Sequence, residues 1–112
     1  MTTYDIECIE NAKKIIDADI SRHFTISEIA QQVSLGRTKL KETFKQHYGN
    51  GLYTYLKDIR MKKAMELIST SQKPFKEIAR DVGFKHYNNF ITAFTKYHGS
   101  SPGQARKKYT LF

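Results

Sequence analysis

Residues 25–49 read TISEIAQQVSLGRTKLKETFKQHYG, and residues 74–99 read PFKEIARDVGFKHYNNFITAFTKYHG. The chain carries one pattern twice. Glu28-Ile29-Ala30 returns as Glu77-Ile78-Ala79, Val33 as Val82, and Phe44 with Gly49 as Phe94 with Gly99. The offset is 49 residues at the front and 50 at the back, so the second copy has one inserted residue. Each copy has the pattern of a short helix, a tight turn and a second helix with polar, partly basic exposed positions. That is a helix-turn-helix.

Working outward, every segment reads helical. The two prolines, Pro74 and Pro102, suit the first helical position, where a missing N–H costs nothing. No stretch alternates with the period of a strand. Helix 1 is expected over about residues 4–21, with Ile9, Ala12, Ile15, Ile16 and Ile20 as its apolar face. Its Glu10, Lys13, Lys14 and Asp17 read as solvated. In the first copy, Thr25 is placed to cap a helix over about residues 27–33, with Glu28 three positions on. The turn falls at Ser34-Leu35-Gly36, and a second helix runs from about Arg37 to His47 and stops at Gly49. A long helix over about residues 52–69 joins the copies, with Leu52, Tyr55, Leu56, Ile59, Ala64, Leu67 and Ile68 as its stripe. The second copy starts at Pro74, turns at Gly83 and runs its second helix from about His86 to Tyr97. Ser101 caps a short last helix from Pro102. The fold class is therefore all-α: about seven helices, with helix-turn-helix units at 25–49 and 74–99 and a linker helix at 52–69, within one domain over 1–112.

The charge is large and unevenly placed. The net charge is +8 with a pI near 9.6, which makes a polyanion the expected partner. Residues 1–36 hold three basic and six acidic groups; residues 37–112 hold sixteen basic and five acidic. The N-terminal segment is thus expected to face away from the polyanion. A joining helix spanning roughly 27 Å, against about 34 Å for one turn of B-DNA, suggests two reading heads on one DNA face.

A recognition helix buries one face and offers the other. In the first copy, Leu40 and Phe44 are four apart and belong to the core. At about 100° per residue the opposite face holds Thr38, Lys41, Glu42 and Lys45. Arg37 and Thr38 lie in the first turn, the part that usually enters the major groove deepest. Arg37 suits bidentate pairing with guanine O6 and N7, and Lys41 a guanine or a phosphate. Glu42 suits a cytosine amino group or the orientation of a neighbouring lysine. In the second copy, Phe90 and Phe94 are core. The opposite face holds Asn88, Ile91, Thr92 and Thr95, with His86 and Tyr87 at the N-terminus. Asn88 suits adenine N6 and N7; Ile91 and the Thr92 methyl suit a thymine methyl. Lys85, Lys96 and Lys108 are phosphate candidates. Arg106-Lys107-Lys108 suits either a phosphate or the C-terminal end of its own helix.

Other classes have less to stand on. His23, His47, His86 and His98 are scattered without metal spacing, and there is no Gly-rich phosphate loop or serine elbow. Neither an enzyme nor a cofactor is expected. The lone Cys8 cannot close an internal disulfide and suits a reducing compartment, hence the cytoplasm. No apolar run is long enough to span a membrane. The alternative is a helical protein-interaction or RNA-binding module. Against it, Phe24, Phe44, Phe84, Phe90 and Phe94 fall on core stripes and not on an exposed stacking platform.

The sequence resembles the DNA-binding domain of the AraC/XylS family of bacterial transcription regulators over about residues 5–108. The residues that carry the likeness are Ile29-Ala30, Leu40, Phe44-Lys45 and Gly49. To these add Tyr55-Leu56-Lys57-Asp58-Ile59-Arg60-Met61 with Ala64 and Leu67-Ile68 on the joining helix. The second copy supplies Glu77-Ile78-Ala79, Val82-Gly83-Phe84, Phe90, Phe94, Lys96 and Gly99 with Ser101-Pro102. The resemblance implies two helix-turn-helix units in successive major-groove segments of double-stranded DNA. It also implies transcription control, commonly activation through RNA polymerase. It puts base-facing residues at Thr38, Lys41 and Glu42, and at Tyr87, Asn88, Ile91 and Thr92. The sequence departs from the family pattern at Gly36, His86, Thr92 and Ala105. Most family members carry a sensor domain, which is expected here outside this stretch of chain.

Overall fold

Seven helices and no strand are present among residues 1–109, which the computed structural model describes. They belong to two units, Met1–Lys57 and the part from Asp58 on.

The first unit opens with α1 (Thr3–Ala18). The Thr2 hydroxyl accepts from the Asp5 N–H at 3.0 Å, and the Asp5 carboxylate accepts from the Thr2 N–H at 3.1 Å. This reciprocal box satisfies two of the donors a helix start leaves over. The Thr2 backbone bond holds the Asp5 carboxyl below the usual carboxylate range, with Lys39 Nζ at 3.5 Å adding to it. The helix stops at Ala18, three residues short of the expected 21. Asp19 is extended, and its carboxylate accepts from the Ser21 N–H at 3.1 Å. Such a local side-chain bond offers the backbone an alternative to the helix. Ile20 therefore lies outside the helix, and the buried face is Cys8, Ile9, Ala12 and Ile16, with Ile15 half-buried.

α1 packs against α2 (Ile26–Val33) and α3 (Arg37–Tyr48), which also pack on each other. Thr25 caps α2 as expected, its hydroxyl accepting from the Glu28 N–H at 3.1 Å. The polar side of α1 is less free than its sequence suggests. Lys13 donates to Asp17 at 2.9 Å, and Tyr55 donates to the same carboxylate. The Lys13 ammonium also lies over the Tyr55 ring, 5.5 Å from its centroid. Asp17 and then Tyr55 push the Lys13 pKa up to about 12. A pair read as solvated thus fastens α1 to the start of α4 (Leu52–Thr70).

Of the expected stripe of α4, Leu52, Ala64 and Ile68 are buried and Tyr55, Leu56, Ile59 and Leu67 half-buried. Leu52 is buried in its first part; Met61, Ala64 and Ile68 are wholly buried in its second. Arg60 is half-buried and lies over Gly83.

The second unit repeats the design. α5 (Phe75–Asp81) starts one residue after Pro74, which flanks the helix in an extended conformation and not inside it. α6 (Tyr87–His98) packs against α5 and α7 (Pro102–Tyr109). Ser101 and Gln104 form a second reciprocal box at the start of α7. Arg106 is no free cation. It donates to the carbonyls of Ile68 at 3.1 Å and Lys73 at 2.9 Å, and its guanidinium covers the Phe75 ring at 4.5 Å. It therefore serves the end of α4, where carbonyls lack helical partners.

The two turns share their hydrogen bonds but not their residues. Leu35 N–H bonds Ala30 C=O at 3.1 Å, and Phe84 N–H bonds Ala79 C=O at 2.9 Å. Both are the six-to-one bond of a Schellman ending, which needs a left-handed residue just before. Gly83 supplies it with φ 99°; Ser34 supplies it with φ 60°. A side chain makes that conformation costly, and a Cβ at Gly83 would also meet the Arg60 guanidinium at 2.8 Å.

Ser34→Gly is expected to stabilise by up to about 1 kcal/mol and Gly83→Ala to destabilise by at least that much; urea unfolding shows whether the two signs are opposite. Arg106→Ala should cost about 1.5–3 kcal/mol through two lost charge-assisted bonds, and Arg106→Lys should recover little of it because an ammonium lacks the fork. Asp5 has a lowered pKa in the folded chain. Its contribution is present above the ordinary carboxylate range and disappears as pH falls through the lowered value. The stability gap between the wild type and Asp5→Asn should therefore close on acidification from pH 6 to pH 2.

Candidate nucleic-acid interface

The helix after each turn sets its face by burying two side chains one turn apart. Leu40 and Phe44 on α3 have no exposed surface, nor do Phe90 and Phe94 on α6. Aromatic contacts continue each pair: Phe44 meets Tyr48 at 4.7 Å, and Phe94 meets His98 at 4.4 Å. Each helix then stops at a glycine whose N–H bonds the residue four back, Lys45 or Thr95, at 2.8 Å.

On α3 all five expected residues, Arg37, Thr38, Lys41, Glu42 and Lys45, are exposed. Gly36 starts the helix in an extended conformation without a side-chain cap. Arg37 Nη1 donates to Ser27 Oγ at 3.3 Å, a tie from the first turn of α3 to α2. Arg37, Lys41 and Lys45 form no ion pair among the described residues. Glu42 forms none either, so it does not orient a neighbouring lysine in this structure. Lys41 and Lys45 border an open, largely apolar hollow of about 240 Å³ with Gly51, Leu52 and the exposed Tyr53.

On α6 the expected residues separate. His86, Asn88, Thr92 and Lys96 are exposed, whereas Tyr87 and Ile91 are half-buried. His86 is the N-cap, without a side-chain capping bond. Tyr87 lies nearly parallel to Phe90, centroids 6.5 Å apart, with the Lys76 ammonium 5.8 Å from its ring. The Thr92 hydroxyl donates to the Asn88 carbonyl at 3.1 Å, so its remaining offers outward are its lone pairs and methyl. Thr43, not singled out in the sequence, is buried beside Phe44 in the chain. Lys76 and Arg80 on α5 were also not singled out. Their signal was a four-residue spacing that puts both on one side of a helix.

A stacking platform for single strands is not available in these aromatics. Phe44, Phe90 and Phe94 are wholly buried; Phe24 and Phe84, expected in the core, are half-buried, with Arg22 over Phe24 and Phe90 edge-on to Phe84. No helix among the described residues is long and apolar enough to cross a membrane.

Comparison with known proteins agrees with this geometry. A helix-turn-helix domain family matches residues 29–108. The arabinose operon regulatory protein of Salmonella typhimurium is 34% identical over 84 residues, 75% of this chain and 30% of that protein. The C-terminal domain of AraT, a response regulator from Geobacillus stearothermophilus, superposes with a TM-score of 0.89 at 31% identity, covering 94% of this chain and 88% of that one. The DNA-binding domain of AdpA, solved with a target DNA, shares the fold with a TM-score of 0.84 at 22% identity, covering 90% and 91%. The chain spans about a third of the length of the curated relatives it matches. With its paired helix-turn-helix units, the chain belongs to the helix-turn-helix family of AraC-type DNA-binding domains.

Proposed function

We propose that this chain reads double-stranded DNA by sequence, as the DNA-binding part of a bacterial transcription regulator. The observation that carries the proposal is the doubled helix-turn-helix, in which each second helix buries one face and leaves a polar face exposed. Relatives described as operon regulators, and a DNA complex of a protein with the same fold, support it. The family and the fold point to a regulator and not to an enzyme.

The units at 25–49 and 74–99 act as two reading heads joined by the helix at 52–69. α3 reads through Arg37, Thr38, Lys41 and Glu42, with Lys45 on phosphate. α6 reads through His86, Tyr87, Asn88, Ile91 and Thr92, with Lys96 on phosphate. Arg37 and Lys41 suit guanine, Asn88 adenine, and Ile91 with the Thr92 methyl a thymine methyl. Work in the cytoplasm and activation through RNA polymerase fit a relative described as a lactose operon transcription activator. A sensing domain elsewhere in a longer polypeptide fits the one-third coverage of the relatives.

Selection of bound duplexes from a random 25-base-pair pool tests the proposal. Two preferred blocks are expected within each site. Lys41→Ala should relax one block and Asn88→Ala the other, each by about 1–3 kcal/mol of discrimination. Loss of preference at the same base pairs in both variants overturns the two-head proposal, and no enrichment by the wild type overturns DNA reading itself.

A further inference from the structure

The exposed face of α6 contains Asn88, Thr92 and Thr95, with Lys96 as its one lysine. Yet the second unit holds most of the charge. Residues from Asp58 on carry eleven basic and four acidic groups, against eight and seven in Met1–Lys57. Three of those cations meet at one place. Lys76 and Arg80 on α5 and Lys85 in the turn border an open hollow of about 190 Å³, floored by Ala79, Phe84 and Tyr87.

Two features set this hollow apart from a merely solvated basic surface. First, α5 has carboxylates at hand, Glu77 and Asp81, but both are taken by Lys73, at 3.8 and 2.5 Å. That pairing raises the Lys73 pKa, the Asp81 bond contributing most. Lys76, Arg80 and Lys85 form no ion pair among the described residues. Like charges four apart on a helix repel, so the cluster is left with a deficit that an anion would relieve. Second, the extra residue of the second copy lies in this turn. Three residues, Ser34, Leu35 and Gly36, stand between Val33 and α3; four, Gly83, Phe84, Lys85 and His86, stand between Val82 and α6. The first copy has Ser27 and Gln31 where the second has Lys76 and Arg80, and no lysine in its turn.

We infer that Lys76, Arg80 and Lys85 form a phosphate grip, through which the second unit holds the DNA backbone beside α6. The inference rests on the DNA-reading function proposed above. The grip supplies, next to a weakly charged reading face, the electrostatic attraction that such a face lacks. It positions and does not discriminate, because phosphates are the same at every base pair.

The test is the salt dependence of binding to the preferred duplex by the whole chain. Each neutralised phosphate contributes about 0.9 to the slope of log affinity against log salt. The triple variant Lys76→Gln, Arg80→Gln, Lys85→Gln should lower that slope by about 2.7 while keeping the preferred sequence. A control removing Lys14, Lys57 and Lys62, three exposed lysines outside the hollow, should lower it less. The single variant Lys85→Gln should lower it by about 1, which keeps the test available if the triple variant is poorly folded. An unchanged slope, an equal drop in the control, or an altered base preference in the triple variant each overturns the grip. A wild type that binds no duplex overturns the DNA-reading function, and the grip with it.

Discussion

The fold depends on four side chains: Leu40 and Phe44 on one helix, Phe90 and Phe94 on the other. Each pair is one helical turn apart and wholly buried. Burying such a side chain contributes about 1.5–3 kcal/mol, so rotating either helix about its axis would forfeit most of its packing. On α3 the small Thr43 is buried beside Phe44, whereas Arg37, Thr38, Lys39, Lys41 and Glu42 are all exposed. The outward residues therefore owe their direction to the inward ones. The turn before and the glycine after fix the length; the two large buried residues fix the angle.

That dependence explains what was legible in the sequence. A buried residue every third or fourth position forces a periodic pattern, and the repeat made it visible twice. The helices, their order and the exposed residues of α3 could all be read from it. The errors lie where short-range polar chemistry competes with periodicity. Asp19 ends α1 early by bonding Ser21, and an Asx bond leaves no hydrophobic signature. Arg106 looked like one more surface cation, but its role depends on carbonyls of Ile68 and Lys73, more than thirty residues away. Met61 was missed although it shares a helix face with the expected Ala64 and Ile68, three and seven residues on. Tyr87 is half-buried, and one of its neighbours is tertiary: the Lys76 ammonium of α5 lies 5.8 Å from its ring.

The copies also differ in how they are charged. The first unit is nearly balanced, yet its second helix displays Arg37, Lys41 and Lys45 without acidic partners. The second unit is strongly basic, yet its second helix is nearly neutral on its exposed side. Positive charge is thus differently distributed over the sequence of each copy. Lys73 has a part in this: by holding both carboxylates of α5, it leaves the cations on the same helix unneutralised.

The matched boundaries of α3 and α6 have a consequence for protein engineering. Both are twelve residues long, both follow a Schellman turn, and both end at a left-handed glycine bonded four residues back. Each is in effect a cartridge with standard fittings. A chimera carrying α6 in the place of α3 would keep its backbone joints. Its difficulty would be inside, where Phe90 would occupy the volume of Leu40, and overfilling a packed core costs about 1–3 kcal/mol. New reading faces are therefore best built by changing the outward residues of a cartridge while leaving its two buried anchors native to their own socket.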